Sequence, residues 1–178
     1  MVPTSPTRPA SPTRLDIVAS IKSLGVRIVG LDVGERRIGV AISDATCTLA
    51  RPVGVLRPAG LERDAVAVAA AEIARLAAEE DGVAALVVGL PRHLDGSPSD
   101  MTPRVEAFAA RLGAETTLAV VLQDERLTSR EAESRLAQRE KDWRVRKARL
   151  DAAAAAIILQ DYLDTRPGRP VLAVDPER

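Results

Sequence analysis

The segment Arg27–Asp44 constrains the fold more than any other part of this 178-residue chain. It contains two apolar runs, Ile28–Leu31 and Ile38–Ile42, and the short charged tip between them holds Gly34. Two β-rich runs that are joined by a short glycine-containing tip predict a β-hairpin. We therefore expect the fold to be built on a pair of antiparallel strands.

A carboxylate, Asp32, interrupts the first run, which otherwise has the composition of a strand buried on both faces. A buried carboxylate without a partner is unfavourable or takes up a proton, so an acid here requires a cation, either a metal ion or an arginine. The alternative is that Asp32 caps the turn through its own backbone, which is common for an Asp near a Gly. This segment alone leaves both interpretations open.

Composition narrows the classes of function. Hydrophobic residues make up 46% and charged residues 28%, which is typical of one soluble globular domain at this length. The net charge is zero, so nucleic-acid binding requires a local basic patch, and the single Phe, Trp and Tyr argue against a base-stacking platform. No segment has the length of a membrane span, no signal peptide is evident, and the single Cys47 suits a reducing compartment. We therefore expect a cytoplasmic protein without a membrane partner.

Proline-rich segments flank the predicted domain. Residues 1–25 open with four prolines among Ser and Thr, and residues 165–178 are again rich in proline. Such segments bury little apolar surface, so we predict a disordered N-terminal extension and a flexible C-terminal tail. The domain itself is expected to span residues 26–164.

Beyond the hairpin, the pattern predicts strands that alternate with helices. The predicted elements are an edge strand at 51–56, a helix over 61–80, a central parallel strand at 84–90, a helix from Ser99 or Asp100 to Leu112, a strand at 117–122, a capping box at Thr128 and Glu131, and a last helix over Leu150–Leu163. Strands followed by helices, with apolar central runs, imply an α/β fold with a mixed sheet covered by helices. In such sheets functional groups gather at the carboxyl ends of the parallel strands.

Acidic residues occupy such positions. Asp32 and the neighbours Asp124 and Glu125 follow predicted strands, and Asp151 opens the apolar face of the last helix. Converging carboxylates favour Mg²⁺ or Mn²⁺, whereas one His and one Cys argue against zinc. Two such ions, about 3.5–4 Å apart, can activate water for phosphodiester hydrolysis. The alternative for Asp151 is an N-terminal acid that the helix dipole stabilises.

Basic residues precede Asp151 along the chain, with Trp143 among them. The candidate contacts to nucleic-acid phosphates are Arg144, Arg146, Lys147 and Arg149, together with Arg36 and Arg37 at the hairpin tip. The alternative is a solvated helix face with a half-buried Trp. We interpret His93 as a surface residue rather than a general base, Asp44 as a turn former and Cys47 as structural.

Four segments together resemble the YqgF/RuvX family, which is described as pre-16S ribosomal RNA nucleases and as Holliday-junction-resolvase-like proteins. The segments are GLDVGERRIGVAISD, VVGLPRHLDGS, DERLTSREAE and LDAAAAAIILQDYL, and they follow one another from residue 28 to residue 163. One motif alone would be weak evidence, whereas four in this order are specific.

The resemblance implies a ribonuclease-H-like fold with a five-stranded mixed sheet and helices on both faces. It also implies divalent-metal-dependent nuclease chemistry in which Asp32, Glu125 and Asp151 are catalytic and bind Mg²⁺ or Mn²⁺. Asp124 stays an alternative to Glu125, and Arg126, beside this acid, is a further candidate contact to nucleic acid. The segment AALVVGLP lacks the acid that the junction resolvases proper carry on the fourth strand.

We therefore expect an endonuclease that processes the 5′ end of precursor 16S ribosomal RNA, as a monomer or a homodimer. The same chemistry on branched DNA, as in a Holliday-junction resolvase, is a close alternative. A non-catalytic nucleic-acid adaptor is a second one. A third is an ATP-binding domain of the actin/sugar-kinase type, in which a hairpin with Asp-x-Gly contacts phosphates; those proteins pair two such domains, and this length holds one.

Overall fold

The structure, a computed structural model, describes residues 26–59, 63–79, 81–124 and 143–164, without the side chains of residues 63 and 143–151. Its elements are β1 (Arg27–Val33), β2 (Ile38–Ser43), β3 (Ala50–Leu56), α1 (Arg63–Ala77), β4 (Val83–Leu90), α2 (Thr102–Thr116), β5 (Ala119–Asp124) and α3 (Trp143–Asp164). The predictions for residues 1–25 and 165–178, and the capping box at Thr128 and Glu131, lie outside the described residues.

The five strands form one mixed sheet in the order β3-β2-β1-β4-β5. β2 is antiparallel to both β1 and β3, while β4 is parallel to both β1 and β5. The predicted hairpin, the edge strand and the parallel strand are therefore confirmed. Pro52 lies in β3, at the edge of the sheet, where the missing N–H of a proline is tolerated.

Helices cover both faces of the sheet, as expected for a ribonuclease-H-like fold. Successive residues of a strand point to opposite faces, and β1 shows this alternation clearly. Val29 and Leu31 pack in a core formed with α1 and α2, whereas Ile28 packs in a second core formed with α3. Every residue of β1 except Asp32 is buried, so the apolar run is explained by burial on both sides.

α3 crosses β1 very closely at Gly30. A Cβ atom at residue 30 would lie 2.7 Å from the Cβ atom of Leu159 and 3.1 Å from the carbonyl oxygen of Ala155. Glycine is therefore required here because the helix backbone approaches the strand too closely for any side chain. This crossing sets the height of α3 above the sheet.

A buried arginine connects the start of β1 to the C-terminal end of α1. Arg27, at the start of β1, is only 5% exposed. Its guanidinium forms an ion pair with Glu79 at 2.8 Å and donates to the Leu76 carbonyl at 3.1 Å, which holds the C-terminal end of α1 against the sheet. The hydrogen bond from Arg27 is the main cause that lowers the pKa of the Glu79 carboxyl.

The predicted start of α2 is wrong. Its N-cap is Met101, which makes no side-chain capping hydrogen bond, rather than Ser99 or Asp100. Proline in the first turn sets the helical backbone without a capping side chain. The backbone N–H of Ser99 instead donates to the Thr102 hydroxyl oxygen at 2.8 Å.

Two further boundaries differ from the prediction. α2 continues past Leu112 to Thr116 and ends at Thr117, which adopts a left-handed conformation with φ 56°, so β5 begins at Ala119 instead of residue 117. α3 begins at Trp143 instead of Leu150, which puts Asp151 in its third turn. The helix dipole acts mainly within the first turn, so the interpretation of Asp151 as an N-terminal acid is wrong. Across the described ranges, no helix combines the length and the apolar character needed to cross a bilayer.

We predict that Gly30→Ala destabilises the protein by about 1–3 kcal/mol, because the added methyl group overlaps the backbone of α3. Equilibrium urea unfolding measures this change. Gly54→Ala in β3 is the matched control, since its Cβ would meet nothing within 4 Å; we expect a change within about 0.5 kcal/mol. Equal midpoints for Gly30→Ala and the unmodified protein would contradict the close crossing.

Candidate active site

The parallel strands β1, β4 and β5 place their carboxyl ends at one edge of the sheet. Asp32 is the penultimate residue of β1, and it is half-buried. Leu31 lies beside Val88 of β4, and the next β4 residue, Gly89, lies beside Gln123 of β5. Asp32 is therefore level with Gln123, two strand spacings away, or about 9.5 Å.

Side-chain alternation places Asp32 on the face that α3 covers. It follows Leu31, which packs on the α1/α2 side. It is an even number of residues from Ile28, which packs against α3, so both side chains point to the same face. Gln123 lies on the same face, since its amide donates to the Asp161 carboxylate of α3 at 2.8 Å. Asp32 and Gln123 therefore both point to the face of the sheet that α3 covers.

Asp124 has the opposite orientation. It comes two residues after Leu122, which packs in the α1/α2 core, and one residue after Gln123, which contacts α3. Alternation therefore points Asp124 to the face away from Asp32. The structure does not bring these two predicted acids to the same side of the sheet, and Glu125 lies outside the described residues.

The carboxylate of Asp32 borders a cleft of about 310 Å³ at the hairpin tip. The cleft is lined by Asp32, Gly34, Glu35, Arg36, Arg37 and Gly39. The N–H of Gly34 donates to the Arg37 carbonyl at 2.9 Å, which closes the tip and holds both arginines beside the acid. The two arginines predicted at the hairpin tip therefore share one cleft with Asp32.

The direction of α3 follows from its contacts with the sheet. The side-chain oxygen of Gln160 accepts a hydrogen bond from the Ala50 amide at 2.8 Å. Ala50 pairs with Ser43, and the Ser43 hydroxyl accepts from the Ile28 amide at 2.9 Å. Gln160 therefore lies at the level of the start of β1.

Ala155 and Leu159, which are one helical turn apart, both contact β1 at Gly30. Near the C-terminal end of α3, Gln160 bonds to Ala50 at the level of the start of β1, whereas Asp161 bonds to Gln123, which is level with Asp32. α3 therefore crosses the strands obliquely. The backbone of Asp151 lies one helical turn, about 6 Å, from Ala155, and Asp32 lies two residues, about 7 Å, from Gly30.

The donor chemistry at this edge fits a hard divalent cation, because a carboxylate supplies the oxygen ligands that Mg²⁺ and Mn²⁺ prefer. Among the residues that the structure describes, no three His, Cys, Asp or Glu side chains form a group that could hold a metal. Two of the three predicted ligands, Glu125 and the side chain of Asp151, are not among them.

The remaining predicted nucleic-acid contacts are described only in part. The backbone of Arg144, Arg146, Lys147 and Arg149 lies in the first two turns of α3, while their side chains, and all of Arg126, lie outside the described residues.

The sequence reasoning missed two residues of this region. Glu35 lines the cleft, and Arg104 of α2 forms an ion pair with it at 3.7 Å.

The loop after β4 has an ordered backbone. The His93 N–H donates to the Ser97 carbonyl at 3.0 Å, and the Ser97 N–H donates to the Asp95 carboxylate at 2.8 Å. Hydrogen bonds from the Ser97 hydroxyl and amide lower the pKa of Asp95. His93 is exposed, which confirms its interpretation as a surface residue.

Asp44 and Cys47 have the predicted structural roles. The Asp44 carboxylate accepts hydrogen bonds from the Thr48 and Leu49 amides at 2.7 and 2.9 Å and from the Thr46 hydroxyl. Desolvation opposes its charge, but these hydrogen bonds outweigh that effect and lower the pKa of Asp44. Cys47 is buried, and its thiol contacts the Val26 carbonyl at 3.5 Å.

Comparisons with known proteins agree on one family. The family model described as "RuvX: Holliday junction resolvase" matches residues 26–165. A protein of an Anaeromyxobacter species is 42% identical over 141 residues, covering 79% of this chain and 98% of the relative. A protein of Chloroflexus aurantiacus is 44% identical over 143 residues, covering 80% and 90%. Both relatives bear the name "Putative pre-16S rRNA nuclease".

Two solved structures show more distant similarity. RuvC of T. thermophilus in complex with a Holliday junction substrate matches 75% of this chain and 91% of its own, with 14% identity and a TM-score of 0.44. A ROK hexokinase from Thermus thermophilus matches 61% of this chain and 38% of its own, with 24% identity and a TM-score of 0.39.

We predict that Asp44→Ala destabilises the protein at pH 7 by about 1 kcal/mol, because two backbone amides lose their acceptor. A carboxyl whose pKa is lowered on folding stabilises the protein above its unfolded pKa of about 3.9, and loses this effect as the pH falls through its folded pKa. The difference in unfolding free energy should therefore shrink below about pH 4. Urea unfolding at several pH values measures it, with Asp100→Ala as an exposed loop control; a difference that grows in acid would contradict the role.

Proposed function

The chain belongs to the RuvX family of Holliday junction resolvases, and we propose that it is a divalent-metal-dependent endonuclease that processes the 5′ end of precursor 16S ribosomal RNA. The observation that carries this proposal is the cleft at the carboxyl edge, which Asp32, Arg36 and Arg37 line together. Metal-dependent phosphodiester hydrolysis requires a carboxylate that binds the metal ion and basic side chains that bind the phosphates.

Asp32, Glu125 and Asp151 would hold Mg²⁺ or Mn²⁺. When bound, the cation supplies an activated water and neutralises charge on the phosphate. Support for Asp151 comes from the crossing of α3 over β1 at Gly30, because Asp32 lies two residues from Gly30 and Asp151 lies one helical turn from Ala155, which contacts that glycine. Support for Asp32 comes from its half-buried position, because partial desolvation strengthens the attraction between a carboxylate and a cation.

Glu125 is preferred to Asp124 as the third ligand. The parity of β5 directs Asp124 to the α1/α2 side, whereas Asp32 and α3 lie on the other side. The family resemblance assigns the role to Glu125, and the direction of Asp124 argues against the alternative.

The arginines of the cleft bind and orient the nucleic acid. Arg36 and Arg37 sit on the hydrogen-bonded tip and would hold the phosphate backbone next to Asp32. The basic residues of the first turns of α3, Arg144, Arg146, Lys147 and Arg149, together with Arg126, would extend this surface. The partner we propose is precursor ribosomal RNA in the cytoplasm.

Branched DNA is the second candidate substrate, because the matching family model is described as a Holliday junction resolvase. The same acids and arginines would serve both substrates, since phosphate contacts carry no base information. Purified full-length protein should therefore be offered a labelled precursor 16S RNA leader and a labelled four-way DNA junction in parallel. The proposal requires Mg²⁺- or Mn²⁺-dependent cleavage of the RNA at the higher rate.

We predict that Asp32→Asn and Asp151→Asn each lower RNA cleavage at least about 100-fold, because an amide is a weaker ligand than a carboxylate for a hard cation. Single-turnover cleavage with increasing Mg²⁺ measures the rate, and circular dichroism checks the fold. Asp164→Asn, exposed at the C-terminal end of α3, is the control and should cleave normally. Full activity of Asp32→Asn would refute the proposed site, and RNA binding without turnover in the unmodified protein would favour an adaptor.

A second prediction separates the two neighbouring acids. Glu125→Gln should lower cleavage as strongly as Asp32→Asn, whereas Asp124→Asn should retain activity within about threefold, because its side chain faces away from Asp32. The same single-turnover assay compares the two variants. The reverse pattern, with Asp124→Asn inactive and Glu125→Gln active, would show that the assignment by strand parity is wrong.

A further inference from the structure

The ion pair between Glu35 and Arg104 connects the cleft to a second element. Glu35 lies on the hairpin tip and lines the cleft with Asp32, while Arg104 lies in the first turn of α2. One guanidinium nitrogen of Arg104 is 3.7 Å from the Glu35 carboxylate, and the side chains are 56% and 72% exposed. Arg104 therefore stands at the rim of the cleft, open to a large ligand.

The stability of the fold does not explain this arginine. The N-terminal end of a helix carries a partial positive charge, so a cation in the first turn is unfavourable, and α2 has no acid there to compensate. Exposed ion pairs contribute little to stability. A residue that opposes the local electrostatic rule at the rim of a functional cleft indicates a role in binding.

The charges of the cleft point to the ligand. Asp32 and Glu35 balance Arg36 and Arg37, so the lining itself has no excess of positive charge. A polyanion is held by cations that can leave their internal partners, and a phosphate competes well with a single exposed carboxylate for a guanidinium. Arg104 supplies the additional cation on the far side of Glu35.

We propose that Arg104 is a further phosphate-binding residue of this site, which Glu35 holds in place until a backbone phosphate of the nucleic acid displaces the carboxylate. This inference rests on the proposed function and adds a specific contact to it. It extends the path of the nucleic acid from the hairpin tip across to the first turn of α2.

The experiment measures binding without cleavage. Full-length protein is titrated, in buffer with EDTA and at several KCl concentrations, into a fluorescently labelled single-stranded precursor 16S RNA leader, and separately into a labelled four-way DNA junction. The variants are Arg104→Gln, Glu35→Gln and the double variant, with Arg36→Gln and Arg37→Gln as tests of the proposed function itself. Arg111→Gln is the matched control, because Arg111 is an exposed arginine on the same helix, seven residues or about 10 Å further from the cleft and on the same face.

We expect Arg104→Gln to weaken binding about twofold to fivefold and to reduce the salt dependence by about one phosphate contact, while Arg111→Gln leaves both unchanged. Glu35→Gln should tighten binding, because the phosphate no longer competes with a carboxylate. In the Glu35→Gln background the loss caused by Arg104→Gln should be at least as large as in the unmodified protein. The arm with the larger effect identifies the nucleic acid whose backbone Arg104 contacts.

Two results would overturn the inference. In the first, Arg104→Gln behaves as Arg111→Gln does while Arg36→Gln weakens binding; the proposed function then stands without this contact. Alternatively, the loss caused by Arg104→Gln vanishes in the Glu35→Gln background, in which case Arg104 only neutralises Glu35. If Arg36→Gln, Arg37→Gln and Arg104→Gln all bind as the unmodified protein does, the proposed function fails as well.

Discussion

The close contact between α3 and β1 at Gly30 is the constraint on which the rest of the structure depends. Side chains normally separate a helix from the sheet that it covers. Here the Ala155 carbonyl and the Leu159 side chain occupy the space that a side chain of residue 30 would fill. The same crossing closes the second core and fixes α3 over β1 two residues before Asp32, so packing and the candidate site are coupled through one glycine.

The carboxyl edge combines hydrogen-bonded strands, which are rigid, with an exposed hairpin tip. Strand pairing holds Asp32 beside Gly39 in the hairpin, and a backbone hydrogen bond closes the tip that carries Arg36 and Arg37. The closed backbone of the tip lowers the entropic cost of binding, because the arginine side chains have to be ordered when a phosphate arrives but the loop that carries them does not. The charge is balanced within the cleft, which is consistent with a protein of zero net charge that concentrates its binding groups locally.

Much of the fold was predictable because its signals are local. The two apolar runs around Gly34 predicted the hairpin, and the run at 84–90 predicted a buried parallel strand, since alternation and burial appear directly in the residue pattern. The boundaries that failed depend on weaker local signals. α2 ends at Thr117, which has a left-handed conformation although it is not a glycine, so the sequence gives no signal for this end. α3 begins within a basic segment whose helical pattern lacks an apolar face.

The sequence by itself determined the sheet elements and placed Asp32 at the end of a buried strand, because strand composition depends on the residues of the strand alone. Only the tertiary structure decided on which side of the sheet Asp32 and Asp124 lie. Asp124 and Asp32 look equivalent along the chain, yet the register of β5 directs Asp124 to the opposite face. The pair Glu35–Arg104 likewise depends on how the hairpin tip and α2 meet. Such relations join residues far apart along the chain, and no local pattern encodes the distance between them.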